Sequence, residues 1–246
     1  MAICLAALLS SPTTAESLSN LDITSRRMLE TRKKPSIDKQ TTPGLCPLGW
    51  LPASGTLYSS WPKPGSQECV IYEGCKWAGM FSSIEAGENK KKCAKGAAYM
   101  SGGNGTKKAC RFKPETVKSM RMASTSSKDF KRLRGKTLEV MIEGNPNNKT
   151  TTVVIRDNCN DADCRSDNCG GIYAGCCSKH SDNYKYTLLD LEANPASDLL
   201  GVDLTQEDVG GPFQQEKMPL WAQNFRPGLP SCISGNFTMP LCYRII

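Results

Sequence analysis

Two aspartates stand out as groups that could do acid–base chemistry. Asp190 lies within Tyr186–Leu191, between Leu189 and Leu191. Apolar neighbours desolvate a carboxyl, disfavour its charged form and suit it to general-acid work. Asp157 follows the run Thr151–Arg156 and ends it. Both also have a structural reading, because aspartates at strand ends cap turns and bond backbone amides. Most other chemistries lack their residues. The single histidine, His180, lies in the polar loop Ser178–Asn183. It makes a poor Ser-His-Asp base there, and it cannot form the two-histidine brace of a copper oxygenase. The acidic run Asp157–Asp163 could attract Ca²⁺, but it lacks the glycine and terminal glutamate of an EF-hand loop. A solvated loop is the default reading, and no cofactor or metal is expected.

The cysteines speak to compartment. There are 13 in 246 residues. Cys4 falls within Ile3–Leu9, a short apolar run followed by the small residues Thr13-Thr14-Ala15. That layout is a signal peptide over residues 1–15, although no Lys or Arg precedes the apolar run. Removing Cys4 leaves an even set: Cys46, Cys69, Cys75, Cys93, Cys110, Cys159, Cys164, Cys169, Cys176, Cys177, Cys232 and Cys242. An even set of this density reads as a disulfide framework in a secreted protein. Zinc is the alternative, but the chain has no paired C-x-x-C knuckles at ribbon spacing. Asn104, Asn148 and Asn236 each begin an N-x-Thr glycosylation sequon.

The formal net charge is +7. Basic residues cluster at Arg32–Lys34, Lys90–Lys92 and Lys131–Arg134 rather than in one dense patch. A mildly basic surface favours anionic polymers or membranes, and solvated charge is its ordinary reading. No nucleic-acid module is apparent. No apolar run approaches the roughly 18 residues of a membrane span.

Positioning the aspartates requires strands. Residues 16–45 are polar, charged and free of cysteine, which reads as a disordered leader. Beyond them, strands are expected at Thr56–Ser60, Leu138–Ile142, Thr151–Arg156 and Tyr186–Leu191. Glu143–Asn148 is the turn of a hairpin. Short helices are expected at Ser127–Leu133 and at Asn194–Leu200, the latter with Asn194 as N-cap, Pro195 next and Gly201 as terminator. Many short strands with little helix predict an all-β barrel or sandwich of one disulfide-stabilised domain.

Three blocks in order carry a family likeness: Tyr72–Phe81; Val153–Cys164, followed by Gly175-Cys176-Cys177; and Leu188–Glu192 leading into the helix. Together they resemble the six-stranded double-psi β-barrel of expansins, barwin-like proteins and family 45 glycoside hydrolases, over roughly Thr56–Asp203. The nearest likeness is to secreted fungal and oomycete expansin-like proteins. The resemblance implies a barrel domain over residues 46–208 and a disulfide-stapled extension over 209–246. It makes Asp157 and Asp190 the catalytic candidates at one groove. Tyr58, Trp61 and Trp77 become candidate sugar platforms, with core packing the stronger reading for Trp77.

The hydrolases of this group carry a base on the first strand, and Thr56–Ser60 has no carboxylate. The implied protein is therefore secreted, monomeric and non-hydrolytic, binding or loosening cell-wall β-glucan, cellulose or chitin. Any remaining catalysis would be transglycosylase-like or residual glycoside hydrolysis. The 43 residues after Asp203 are too few for the expansins' second domain. The alternative is an effector or defence-type module binding a protein or glycan without turnover. Arg27-Met-Leu-Glu30 resembles, with one mismatch, the host-targeting motif of oomycete effectors, but an ordinary pro-segment or linker is the stronger reading.

Overall fold

The structure is a computed structural model. It describes residues 46–70, 73–159, 177, 186–205, 218–222 and 239–246. The signal peptide, the leader, His180, Asn236 and Cys164, Cys169, Cys176 and Cys232 lie outside the described residues.

Six strands close a barrel: β1 (Leu51–Tyr58), β4 (Met122–Ser126), β5 (Thr137–Ile142), β6 (Thr150–Cys159), β7 (Thr187–Glu192) and β8 (Met239–Ile245). Their order around it is β1-β7-β4-β6-β5-β8. The pairs β1–β7 and β4–β6 are parallel and the other four antiparallel. Exchanging β1, β4, β5 for β6, β7, β8 reproduces every neighbour pair and its direction. Two interlocked halves related in this way make a double-psi barrel.

Period-2 alternation sends one face of each strand inward. Ala53 and Leu57 of β1, Leu189 and Leu191 of β7, and Val153 and Ile155 of β6 are fully buried in one core. Gly55 faces the same interior, where a Cβ would lie 2.5 Å from Leu241 Cδ1. The absence of a side chain there lets β1 approach β8.

Three expectations change. The first strand runs Leu51–Tyr58 rather than Thr56–Ser60, because β7 and β8 both hydrogen-bond its Pro- and Gly-containing first half. The strand expected to stop at Arg156 continues to Cys159, because β4 pairs with it that far. The last barrel strand, β8, lies beyond residue 208, in the segment expected to be an extension. It pairs with both β1 and β5, and Cys242 within it is bonded to Cys46.

Between β1 and β4 the chain builds a separate lobe. It holds the two-stranded sheet β2 (Ala97–Met100) and β3 (Ala109–Phe112), and helices α1 (Gln67–Val70), α2 (Gly74–Trp77) and α3 (Pro114–Met120). Cys69–Cys75 and Cys93–Cys110 staple it, around a small core of Phe112, Val117 and Met122. The fourth disulfide, Cys159–Cys177, ties the end of β6 to Cys177. Disulfides in this number belong to an oxidising compartment.

Helix α4 (Ser127–Leu133) forms where expected. Helix α5 (Ala193–Leu200) starts one residue earlier than expected, and Gly201 ends it in the left-handed conformation. Glu192, not Asn194, is the N-cap: its Oε2 accepts from Asn194 N at 2.8 Å and from Asn194 Nδ2 at 2.7 Å.

Candidate active site

The outward faces of four adjacent strands bring the two aspartates together. In β1–β7, Thr56 pairs with Asp190; in β7–β4, Asp190 pairs with Ser124; in β4–β6, Ser124 pairs with Asp157. The row Thr56–Asp190–Ser124–Asp157 thus crosses the barrel on the side opposite its core. A register shift between Ala123 and Ser124 sets Ser124 against Asp157 instead of Arg156. Bulges of this kind re-aim side chains beside active sites. Ser124, small and buried, separates the two carboxylates by two strand spacings, about 9–10 Å between Cα atoms.

The two carboxyls differ in environment. Asp190 Oδ1 accepts one hydrogen bond, from Thr56 Oγ1 at 2.8 Å. Burial pushes its pKa up to about 7; the Thr56 bond opposes the rise and the charge of Asp157 adds to it. Asp157 Oδ1 accepts three: from Ser82 N at 3.0 Å, Ser82 Oγ at 2.7 Å and Asn158 N at 2.9 Å. Burial raises its pKa as well, and these donors oppose the rise. Asp190 is therefore about half protonated at neutral pH, while three donors favour the charged form of Asp157 against its burial. Two neighbouring carboxyls with such different hydrogen bonding can take different roles in acid–base chemistry. Asp157's bonds to backbone amides are also the structural role expected for a strand-end aspartate, so the two readings coexist in one residue.

A third carboxylate, Glu192, sits beside them. It is buried, which raises its pKa, and the donors of Asn194 and the backbone N–H of Ser60 hold it down. Its lone pairs are committed to the start of α5. Tyr58, paired with Glu192 across β1–β7, has its phenol pKa raised well above 10 by burial and by the charges of Asp157, Glu192 and Asp190. Its Oη is buried without a hydrogen bond among the described residues. Ser60 Oγ is near enough to act on it weakly, but outside hydrogen-bonding geometry, and is itself unsatisfied. Ser126 Oγ, two residues from Ser124 on the same face, is a third such hydroxyl. The site thus presents unused hydroxyls as well as carboxyls.

The three aromatic candidates separate. Tyr58 belongs to the carboxyl cluster. Trp61 packs against the lobe core and donates from Nε1 to Phe112 O at 3.1 Å. Trp77 is 49% exposed, with Lys76 Nζ 5.0 Å from its ring centroid, so core packing does not describe it. Asn104 and Asn148 are exposed, both in left-handed turns; Asn104 Nδ2 is engaged with Cys69 Sγ. Among the described residues, no cluster of three or more ligating side chains could hold a metal, and no helix is long and apolar enough to cross a membrane.

Thr56, Ser82, Ser124 and Glu192 were not singled out by the sequence. Thr56 and Tyr58 share a strand face by period 2, which was the available signal. Ser82 carried none, because it reaches Asp157 across 75 residues.

No family model matches the chain, and no curated protein does. Among solved structures it is similar to the apo expansin of Clavibacter michiganensis, at 12% identity and a TM-score of 0.29, covering 80% of this chain and 50% of that one. It is also similar to a cellulase from the Antarctic springtail Cryptopygus antarcticus, at 12% identity and a TM-score of 0.31, covering 81% and 92%. The chain spans about half the length of that expansin. The fold itself is read from strand order and register: the chain is a double-psi barrel.

Proposed function

We propose that this is a secreted, expansin-like protein that binds and loosens cell-wall polysaccharide without hydrolysing it. The observation that carries this reading is the row Thr56–Asp190–Ser124–Asp157, with Asp190 titrating at about 7 beside an anchored Asp157. A neutral Asp190 can donate a hydrogen bond or proton to a glycosidic oxygen. Asp157, fixed by three donors, can stabilise positive charge that develops at the sugar. Inverting hydrolysis also needs a free carboxylate base with room for water. The first strand, Leu51–Tyr58, carries no carboxylate, and Glu192 is committed to capping α5. The site can therefore protonate or compete for hydrogen bonds, but among the described residues no further free carboxylate stands beside it as a base to activate water. Disulfides and the N-terminal apolar run fit an extracellular site of action.

The test uses the oxidised chain from Cys46 onward. Pull-down on cellulose, chitin and β-glucan, wall extension and reducing-sugar release are measured for wild type and Asp190→Asn. Binding and extension without sugar release are expected, with extension reduced at least tenfold in the variant. Unchanged extension in Asp190→Asn would remove the carboxyl from the mechanism. Failure to bind any of the polymers would favour the module that recognises a protein partner.

A further inference from the structure

The lobe between β1 and β4 carries the charge of the whole chain. Residues 59–121 contain twelve Lys and Arg, five Glu and no Asp, an excess equal to the net charge of +7. The remaining residues are balanced. What looks in sequence like dispersed charge is therefore a property of one lobe.

Within it, Lys90, Lys91, Lys92, Lys95, Lys107 and Lys108 are exposed. Among the described residues, none of the six makes an ion pair. Folding also draws the two lysine runs together. Cys93 and Cys110 are bonded, with Cα atoms 5.3 Å apart. Lys92 adjoins the first cysteine and Lys108 stands two residues from the second. Lys92 N donates to Asn89 O, which closes the turn that carries Lys90 and Lys91. The buried Arg111 guanidinium then fixes the surroundings. It donates to Lys76 O at 2.9 Å, Ala78 O at 2.7 Å, Met100 O at 3.1 Å and Lys107 O at 3.4 Å. Those four carbonyls gather the backbone next to Trp77 and Tyr99, whose rings are 49% and 40% exposed.

We propose that this lobe is a docking surface for an anionic polysaccharide, a polymer bearing carboxylates along its length. This rests on the polysaccharide reading above and specifies the charge of the polymer. Lysine ammoniums are hydrated point charges that suit repeated, loosely placed anions better than one bidentate partner. Like charges held together without counter-ions raise the local potential and attract such a chain. Exposed rings among them offer faces for sugars. A lipid surface fits less well, because α1 and α2 have four residues each and α3 seven, too short for an amphipathic face to enter a membrane. The lobe also adjoins the row of carboxyls: Ser82 Oγ donates to Asp157, and Ser83 N donates to Arg156 O. A polymer held on the lobe would lie beside the carboxyls.

The experiment measures binding of the oxidised chain to polygalacturonate, to its fully methyl-esterified form, to cellulose and to vesicles of 70% phosphatidylcholine and 30% phosphatidylserine. Variants are Lys90→Gln/Lys91→Gln/Lys92→Gln and, as a charge-matched control outside the lobe, Lys131→Gln/Arg134→Gln/Lys136→Gln. All six side chains are exposed, and an unchanged thermal midpoint confirms folding. Polygalacturonate binding should weaken about tenfold in the first variant, change little in the second, and fall in 0.5 M salt. Equal loss in both variants, equal binding to the esterified polymer, or tighter binding to the vesicles would each overturn the proposal. Cellulose binding without polygalacturonate binding would overturn this proposal alone, whereas no binding to any polysaccharide would overturn the groove reading with it.

Discussion

Burial and the charge of Asp157 raise the pKa of Asp190 against one opposing hydrogen bond from Thr56, with a definite consequence for stability. In the unfolded chain it ionises near its ordinary 3.8; in the fold it does so at about 7. Between these values the folded state holds the extra proton. Stability therefore falls as pH rises from about 4 to 7, and the cost is level above that. Asp190→Asn keeps an acceptor for Thr56 Oγ1 and removes the charge. The variant should be about 2–4 kcal/mol more stable than wild type at pH 8, with no difference at pH 4, as read by urea denaturation. A wild type that is equally stable at both values, relative to the variant, would contradict the raised pKa. Holding Asp190 buried thus costs the fold stability at neutral pH. The alternation Leu189-Asp190-Leu191 made the desolvation legible in sequence, because period 2 puts both leucines in the core and leaves the aspartate on the sheet's other face. Its partner was not legible, because Thr56 is 134 residues away.

At the scale of elements, the lobe depends on one cation. Arg111 is buried, desolvation lowers its pKa, and four backbone carbonyls take its hydrogen bonds. Arg111→Met keeps much of the volume and leaves those carbonyls without a donor. A loss of about 3 kcal/mol is expected, since each buried group left unsatisfied costs about 1–3 kcal/mol and some will find water. Hydrogen exchange should locate the effect: amides of β2 and β3 lose protection while those of β5 and β6 keep theirs. Equal loss across the barrel would mean the lobe is not a separate unit. Neither β2 nor β3 was expected from sequence, because each is four residues long and lies among glycines and lysines. β4, MASTS, lacks a strong strand pattern and is held by neighbours on both sides. Helix α4 was legible because its signals are local.

At the scale of the molecule, Cys46–Cys242 closes the fold. It joins the segment just before β1 to β8 across 196 residues, and these two strands pair directly. A cross-link over so long a loop removes much denatured-state freedom. Replacing both cysteines by alanine should cost about 3–5 kcal/mol in reversible denaturation of the otherwise oxidised protein. A loss below 1 kcal/mol would show that strand pairing alone holds β8 in place. The same pairing explains why the sequence boundary near residue 208 differs from the structural one. β8 completes two antiparallel ladders, with β1 and β5, and these partners cannot be recognised from a seven-residue segment read alone.

The sequence by itself determined the chemistry on offer: a paired-carboxyl candidate, an even cysteine set, no histidine system and an excess of lysine. Those are properties of residue types and of short-range alternation, and each can be read within a few positions. Only the tertiary structure decided how they combine. Register across four strands, with one bulge, puts Asp157 and Asp190 on either side of Ser124. A disulfide and a buried guanidinium draw separate lysine runs onto one lobe. These arrangements follow from hydrogen bonding and burial between segments far apart in the chain, whose free energy depends on partners that no local window contains.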